Sequence, residues 1–286
     1  MTRAALVLIA TPIGNLGDLS PRAVEELRAA DVIAAEDTRR TRTLLSAADI
    51  PAGRRLRAVH AHNEKDQAPK LVELIRSGKR VAYVSDAGMP GIADPGERLV
   101  RACIDADLPV EVIPGPSALL AALVVSGLPA SRFRFEGFLP RKGTARAERL
   151  AAIAAAEETV VVFESPHRVA ATVADLAEAC GAGREAAVAR ELSKRYEEVV
   201  RGPLGAVVAR LGNIAARGEH VIVIGPGAGA REPDDDAVAH AARGALANGA
   251  TARDATAAVV RDLGVSKRRA YDAVLRARNA GDVRPD

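Results

Sequence analysis

The first part of this sequence alternates short runs of apolar, often β-branched residues with amphipathic segments of helical period. This alternation constrains the fold more than any other feature. Ser20 before Pro21 and Ser117 before an apolar run are typical helix N-caps, and another helix is predicted from Pro69 to Ser77. Strands that alternate with helices at this spacing form a mainly parallel sheet covered on both faces. We therefore expect an α/β domain over residues 1–118, with strands at 6–10, 32–35, 56–60, 81–84 and 110–113.

The loop after the fourth strand, residues 85–96, contains three glycines, two prolines, Asp86 and Asp94. Glycine lets bare backbone approach a ligand, proline stiffens a turn, and ligands bind at the carboxyl edge of open α/β sheets. Glycine-bearing turns also follow the first and fifth strands, so we expect all three turns to open on the same edge. The alternative is a tight strand-to-helix turn in which Asp94 caps a helix at Pro95. The pattern alone leaves both interpretations open.

The second half predicts a second α/β domain over residues 119–225 with a more mixed sheet, its strands at 133–138, 159–163, 186–189, 197–200 and 220–224. We interpret Phe133, Phe135 and Phe138 as core residues rather than as an RNA-stacking platform. A linker is predicted over 226–236 from its glycine, proline and aspartate content. Helices at 237–247, 251–263 and 266–277 then form a small domain, 237–286, similar to a helix-turn-helix.

Composition excludes several classes of protein. Cys103 and Cys180 are far apart and neither belongs to a CxxC pair, so neither a disulfide framework nor a zinc site is expected, and no metal is predicted. No apolar run approaches ~18 uncharged residues and no signal-peptide pattern opens the chain, which predicts a cytoplasmic protein without a membrane segment. The formal net charge is only +3, so any nucleic-acid-binding surface must be local.

Six short motifs follow one another along the chain and together resemble one family. They are TPIGNL at 11–16, EDTR at 36–39, the loop at 85–96, IPGPSA at 113–118, FESPHR at 163–168 and RELSK at 190–194. The chain resembles the tetrapyrrole-methylase superfamily and, within it, the branch that methylates the 2′-hydroxyl of a cytidine in bacterial small-subunit ribosomal RNA. It departs from the wider superfamily in its first turn, which lacks several glycines, and in its central loop, which begins Ser-Asp-Ala-Gly rather than Gly-Asp-Pro. Both departures fit the RNA branch.

The resemblance implies two α/β domains with S-adenosylmethionine in the cleft between them, and a homodimer. It implies that the substrate is 16S ribosomal RNA or the 30S subunit, methylated in the decoding region. It also implies which positions contact the cofactor: Pro12, Asp86, Ala87, Gly88, Met89, Ile92, Ser117, Ala118, Phe163 and Val221.

Methyl transfer from a sulfonium is an in-line displacement, so the protein must hold the attacking hydroxyl on axis, which is worth roughly 7–11 kcal/mol. A ribose hydroxyl is a poor nucleophile, and a general base adds typically ~10²–10⁴-fold. Glu164 and His167 are the favoured catalytic residues because they follow a strand end that should face the methyl group, and Lys194 is predicted to stabilise the alkoxide or to bind phosphate. Other candidates beside the predicted cleft are His62, Glu64 and Glu191.

Basic side chains are expected to bind RNA phosphates, because phosphate contacts supply most of the affinity and arginine can donate two parallel hydrogen bonds. A solvated helix face would explain any one basic cluster equally well. The predicted RNA contacts are Arg39, Arg40, Arg42, Arg141, Lys142, Arg168, Arg190, Lys267, Arg268 and Arg269.

Two other functions fit the same body. A methylase of a small planar macrocycle would use the same cleft, but it would need neither the arginine clusters nor the helical tail. A non-catalytic RNA-binding protein could keep a methylase-like fold, although the intact loops at 86–89 and 114–118 argue against a loss of activity. A dinucleotide-dependent oxidoreductase is disfavoured because no GxGxxG follows the first strand.

Overall fold

The structure is a computed structural model that describes residues 3–211, 218–227, 233 and 235–281. These residues fall into two compact units, one ending at Gly227 and the other beginning after it. No helix within the described ranges is long and apolar enough to cross a membrane.

The first sheet consists of five parallel strands. They are β1 (Ala5–Ile9), β2 (Val32–Ala35), β3 (Leu56–Ala58), β4 (Arg80–Val84) and β5 (Val110–Ile113). The strand order is β3-β2-β4-β1-β5, with every neighbouring pair parallel. The helices between the strands are α1 (Pro21–Ala29), α2 (Thr38–Ala47), α3 (Glu64–Arg76) and α4 (Glu97–Asp105).

Side chains alternate across this sheet and bury on both of its faces. Val7 and Ile9 of β1 pack with Leu27 of α1 and Leu45 of α2, whereas Leu6 packs with residues of α3 and α4 on the other face. Helices therefore cover the two faces of a parallel sheet, which confirms the architecture predicted for this part of the chain.

Helix α3 begins at Glu64, so the predicted start at Pro69 is wrong. Pro69 lies inside the helix, where it removes the hydrogen bond to the carbonyl of Lys65. Lys65 is solvent-exposed, so water can reach this side of the helix and the loss is tolerated. Pro69 therefore belongs to the predicted helix but does not lie at its first turn.

The alternative interpretation, in which Asp94 caps a helix at Pro95, is also wrong. Gly96 is the residue before α4, and no side chain of its own segment caps the helix. Glu64 does so instead, because its Oε1 accepts hydrogen bonds from the backbone nitrogens of Gly96 and Leu99, both at 3.0 Å. Asp94 is left free of the helix terminus.

The second sheet is mixed, as predicted. Its strands are β6 (Phe133–Phe138), β7 (Thr159–Glu164), β8 (Glu185–Arg190), β9 (Glu198–Pro203) and β10 (His220–Ile224), in the order β6-β7-β10-β8-β9. Only β6 and β7 are parallel, and the other pairs are antiparallel. Helix α5 (Ala118–Ser126) packs on one face, and α6 (Thr144–Ala154), α7 (Val169–Cys180) and α8 (Leu204–Leu211) pack on the other.

The phenylalanines of β6 do not all enter the core. Phe135 packs against Phe163 with ring centroids 4.8 Å apart, as the core interpretation expects. Phe133 and Phe138, however, are 40% and 56% exposed. A bulge between Phe135 and Gly137 shifts the register of β6 against β7 and breaks the simple alternation.

The second unit contains α9 (Asp235–Ala247), α10 (Ala252–Leu263) and α11 (Lys267–Gly281), which confirms the three predicted helices. Thr251 caps α10, and Gly264 ends it in a left-handed conformation with φ of 65°. Val238, Val259 and Val274 contribute to the small core that the helices share. Most of the linker predicted over 226–236 lies outside the described residues.

Candidate active-site cleft

The turns after β1, β4 and β5 meet at one edge of the first sheet, as predicted. The backbone nitrogen of Thr11 donates to the carbonyl of Gly88 at 2.9 Å, and the nitrogen of Gly88 donates to the carbonyl of Thr11 at 3.0 Å. A Cβ atom added to Gly115 would lie 2.9 Å from the Cβ of Ala10, so only glycine allows this approach. The three turns therefore form one wall at this edge of the sheet.

A cleft of ≈ 370 Å³ lies between this wall and the carboxyl ends of β6 and β7, a volume that suits a small-molecule ligand. We call it the central cleft. The first sheet and its helices line it with Ile13, Glu36, Arg40, residues 86–89, residues 92–94, Ser117 and Ala118. The second sheet lines it with Phe138, residues 163–166 and residues 219–221.

Nine of the ten predicted cofactor positions line the central cleft: Asp86, Ala87, Gly88, Met89, Ile92, Ser117, Ala118, Phe163 and Val221. The tenth, Pro12, lines an adjoining depression together with Gly14 and Lys194. The structure thus gathers residues that are more than a hundred positions apart in the sequence. Their contact with a cofactor stays a prediction.

Asp86 is anchored to the start of α2. Its Oδ1 accepts a hydrogen bond from the backbone nitrogen of Asp37 at 3.0 Å, and its Oδ2 forms an ion pair with Arg40 at 3.4 Å. In return, the backbone nitrogen of Asp86 donates to Oε2 of Glu36 at 3.4 Å. The EDTR motif and the central loop are therefore one hydrogen-bonded unit.

Glu164, a predicted catalytic residue, has a side chain with 0% exposure. Its Oε1 accepts from the backbone nitrogen of Ser165 at 2.7 Å, and its Oε2 accepts from the hydroxyl of Thr172 at 2.8 Å. Arg168 forms an ion pair with the same Oε2 at 3.3 Å. Both oxygens are therefore engaged by protein donors, which suits a residue that shapes the turn after β7.

His167 and Lys194, the other predicted catalytic residues, lie outside the lining of the central cleft. His167 is exposed. The ammonium group of Lys194 donates to Glu191 at 2.9 Å and to Glu219 at 3.3 Å. Burial alone would lower the pKa of Lys194, but the hydrogen bond with Glu191 and the charge of Glu219 outweigh it and raise the pKa.

The remaining candidates for the base also lie outside the lining of the central cleft. Glu64 is buried and caps α4, as described above. His62 is exposed, and its ring lies 6.0 Å from that of His60. The hydrogen bond from Lys194 holds the pKa of Glu191 below its usual range, which opposes a role for Glu191 as a proton acceptor.

Sequence reasoning missed four ionisable residues of the central cleft: Glu36, Asp94, Glu219 and His220. Burial, followed by the negative charge of Glu36, raises the pKa of Asp94 to about 7. Burial and the charge of Asp86 raise the pKa of Glu36 as well. His220 is 3% exposed, burial lowers its pKa, and its Nδ1 lies 3.0 Å from the carbonyl of Gly218. Glu36 and Asp94 belong to two of the quoted motifs, so a signal for them was present.

The predicted RNA-binding residues divide into two groups. Arg40, Arg168, Arg190 and Arg269 are held in ion pairs with Asp86, Glu164, Glu198 and Asp235, respectively. The second group is solvent-exposed: Arg39, Arg42, Arg141, Lys142, Lys267 and Arg268. Arg39 is 91% exposed, and its partner in the described part of the chain is its neighbour Asp37. The second group is therefore available to phosphate, and so is Arg40, whose side chain is 65% exposed despite its ion pair.

Within the described residues, no group of three or more histidine, cysteine, aspartate or glutamate side chains is arranged to hold a metal ion.

Comparison with known proteins places the chain among methylases. The sequence profile of the family described as Tetrapyrrole (Corrin/Porphyrin) Methylases matches residues 5–208. The ribosomal RNA small subunit methyltransferase I of Mycobacterium tuberculosis is 45% identical over 280 residues, which cover 97% of each chain. The protein of the same name from Xylella fastidiosa is 50% identical over 225 residues, covering 78% of this chain and 82% of that protein.

Solved structures with the same fold are more distant in sequence. The uroporphyrin-III C-methyltransferase of Thermus thermophilus, in complex with S-adenyl homocysteine, aligns with a TM-score of 0.55 at 21% identity, over 77% of this chain and 97% of that one. A cobalt precorrin-4 methyltransferase aligns with a TM-score of 0.59 at 16% identity, over 78% and 95%. At these identities the likeness shows the fold alone.

Proposed function

This chain belongs to the tetrapyrrole (corrin/porphyrin) methylase family, and from that premise we propose that it transfers a methyl group from S-adenosylmethionine to the 2′-hydroxyl of a cytidine in 16S ribosomal RNA. The observation that carries the proposal is the central cleft, where bare backbone turns of the first sheet face the second sheet. The relatives at 45–50% identity that bear the name of a small-subunit ribosomal RNA methyltransferase support the same substrate.

The residues of the central cleft fit the methyl donor. When bound, S-adenosylmethionine supplies a methyl group on a positively charged sulfur, with a neutral thioether as the leaving group. Glu36, Asp86, Asp94 and Glu219 line the cleft with carboxylates, and Arg40 is the one lysine or arginine among the described residues that line it. A cationic ligand is therefore favoured there. The backbone of residues 86–89 and of 117–118 would hold the donor, with Ile92, Phe163 and Val221 covering its apolar parts.

The basic residues outside the cleft suit an RNA substrate. Helix α2 carries Arg40 into the cleft and Arg39 and Arg42 to the surface beside it, so one helix links the two regions. Arginines placed in this way would hold the phosphates on either side of a ribose that enters the cleft. A small macrocycle would make no use of them, which favours the RNA substrate over the macrocycle.

We also propose that the protein acts as a homodimer in the cytoplasm, where ribosomal subunits are modified. Leu120 and Val124 lie one turn apart on α5 and are 51% and 74% exposed, which suits an apolar contact with a second copy. Light scattering coupled to size-exclusion chromatography tests this point, and a monomer at micromolar concentration would contradict it.

The enzyme assay combines the full-length protein with a methyl-labelled donor and either free 16S RNA or intact 30S subunits. We expect label on one cytidine ribose, located by nuclease digestion and reverse-transcription stops. Asp86→Arg should abolish donor binding, because it removes the acceptor for the Asp37 nitrogen and places a cation beside Arg40. The matched control is Asp105→Arg, at the far end of α4, where the side chain is 58% exposed. Label on a base, or no transfer to either RNA, would contradict the proposed function.

A further inference from the structure

Phe138 is the last residue of β6, and it lines the central cleft instead of entering the core. In an unbroken strand Phe135 and Phe138 would lie on opposite faces of the sheet, because side chains alternate along a strand. The bulge adds one residue between them, so Phe135 pairs with Val161 and Phe138 pairs with Phe163. Val161 and Phe163 belong to the face that α5 covers. The bulge therefore turns Phe138 to the same face as Phe135, and bulges that re-aim a side chain in this way are common next to active sites.

The backbone that carries Phe138 is held in place. Leu139, the next residue, is buried in the core of the second sheet. Arg168 donates to the carbonyl of Leu139 at 2.9 Å, and Arg146 donates to the carbonyl of Pro140 at 2.9 Å. The ring therefore stands on a fixed backbone, which reduces the conformational entropy that is lost when a ligand packs against it.

Phe163 supports the ring of Phe138. The two ring centroids are 5.8 Å apart and the ring planes are inclined by 63°, an edge-to-face contact. Phe163 also contacts Phe135, so the three rings form one cluster. Phe138 is nevertheless 56% exposed, and a further flat group can pack against it without displacing Phe163.

The surroundings of Phe138 favour a base of RNA as that group. β6 is the edge strand of the second sheet, and the segment after it carries the exposed Arg141 and Lys142. Cations beside an exposed aromatic ring are the combination that binds single-stranded nucleic acid, because the cations contact phosphates while the ring stacks on a base. In the proposed function the turns of the first sheet hold the donor. Phe138 lines the same cleft from the second sheet, on the side left to the substrate.

We propose that Phe138 stacks on the base of the nucleotide whose ribose is methylated. This inference rests on the proposed function and names a binding residue for its RNA substrate. The carbon that carries the 2′-hydroxyl is bonded to the carbon that carries the base, so a hydroxyl that reaches the donor in a cleft of ≈ 370 Å³ brings its base into the same cleft. That base must have left the stack of its own RNA, and the ring of Phe138 replaces the lost stacking contact.

The test measures the RNA affinity of Phe138 variants by filter binding, with the substrate that the enzyme assay identifies, free or in 30S subunits. Phe138→Ala should weaken RNA binding by about 5- to 150-fold, which corresponds to the ~1–3 kcal/mol of one stacked base. Phe138→Trp should bind RNA like wild type, because it keeps an aromatic face. Phe138→Leu should lose affinity, because it keeps apolar area and the contact with Phe163 but has no ring. Wild-type affinity in Phe138→Leu would overturn the proposal.

The matched control is Phe133→Ala. Phe133 is 40% exposed at the other end of β6 and lies outside the lining of the central cleft, so this variant should bind RNA like wild type. Salt separates stacking from phosphate contacts. Phe138→Ala should leave the slope of log affinity against log salt unchanged, whereas Lys142→Gln should reduce the slope by about one.

An RNA that is abasic at the methylated nucleotide identifies which base is stacked. Wild type and Phe138→Ala should bind this RNA with equal affinity, because the group that the ring contacts is missing. A difference as large as that on the intact RNA would mean that the ring contacts something other than the target base, which overturns the proposal.

The two proposals fail in distinguishable ways. If wild type binds the donor but methylates no RNA, the proposed function fails and this inference fails with it. If wild type methylates the ribose and Phe138→Ala keeps its RNA affinity, only the role of Phe138 fails. Donor affinity, measured by calorimetry without RNA, should be the same in wild type and Phe138→Ala. A loss of donor affinity would assign the ring to the donor and overturn the inference while leaving the proposed function intact.

Discussion

Replacing Gly14 by alanine tests whether the first turn is fitted directly against the loop after β8. A Cβ atom added to Gly14 would overlap Cγ of Lys194 and lie 2.9 Å from the carbonyl oxygen of Leu192. Lys194 cannot turn away without losing Glu191 at 2.9 Å and Glu219 at 3.3 Å. The added methyl group must therefore push the backbone of one sheet's loop away from that of the other.

The cost follows from this overlap. A separation below 3.0 Å from a backbone oxygen cannot be relieved by rotating a side chain, so the added methyl group overpacks this contact, at a cost of ~1–3 kcal/mol. For a chain of this size, such a cost lowers the melting temperature by roughly 2–12 °C. Glu219 lines the central cleft and also holds Lys194, so the displacement should reach the donor site. We expect donor affinity to fall by about tenfold, which corresponds to ~1.4 kcal/mol.

Differential scanning fluorimetry and calorimetry with S-adenosylmethionine measure both effects. Gly17→Ala is the matched control in the same turn: its nearest contact would be the side-chain oxygen of Asn15 at 3.2 Å, and its φ is not positive. There, alanine should be neutral or stabilise by up to ~1 kcal/mol, because it reduces the entropy of the unfolded chain. The reasoning is refuted if Gly14→Ala melts and binds the donor as wild type does.

Three further predictions follow from single contacts. Arg184→Met should lower the free energy of unfolding in urea by ~3 kcal/mol or more, because the nearly buried guanidinium donates to four backbone carbonyls that would lose their partner. Burial lowers the pKa of His220, so just below pH 6.5 the unfolded chain binds more protons than the folded one, and the folded state loses stability as the pH is lowered. His220→Gln should therefore weaken the fall of the melting temperature on the acid side. Arg42→Gln should reduce the slope of log affinity for RNA against log salt by about one, whereas Arg190→Gln, whose side chain is paired with Glu198, should leave the slope unchanged.

The elements of the fold that were predicted correctly have signals within their own segments. Ser20 and Ser117 accept hydrogen bonds from the backbone nitrogens of Ala23 and Leu120, as their spacing indicates. The cap of α4 was not predicted, because it comes from Glu64, which lies more than thirty residues earlier. A local sequence pattern cannot predict a cap that is supplied by another helix.

The location of the candidate site followed from topology, but the roles of its residues did not. Parallel strands end at the same edge, so the turns after β1, β4 and β5 had to converge there. Glu164 was correctly placed beside the cleft, yet its position does not reveal that Thr172 and Arg168 occupy its carboxylate. Only the three-dimensional structure shows whether protein donors already bind a carboxylate, and a general base must have an oxygen that they leave free.

The sequence also does not show which charged side chains are paired with one another. A count of basic residues along α2 treats Arg39, Arg40 and Arg42 alike, although Arg40 is bound to Asp86 of the central loop and Arg39 to its neighbour Asp37. Asp86 accepts a hydrogen bond from the backbone nitrogen of Asp37 and donates one to Glu36, so the EDTR motif and the central loop are complementary halves of one structure. The loop has a second aspartate, and this network leaves it out. Because the anchoring is complete without Asp94, its carboxylate stays in the lining of the central cleft, where it adds to the negative charge that favours a positively charged ligand.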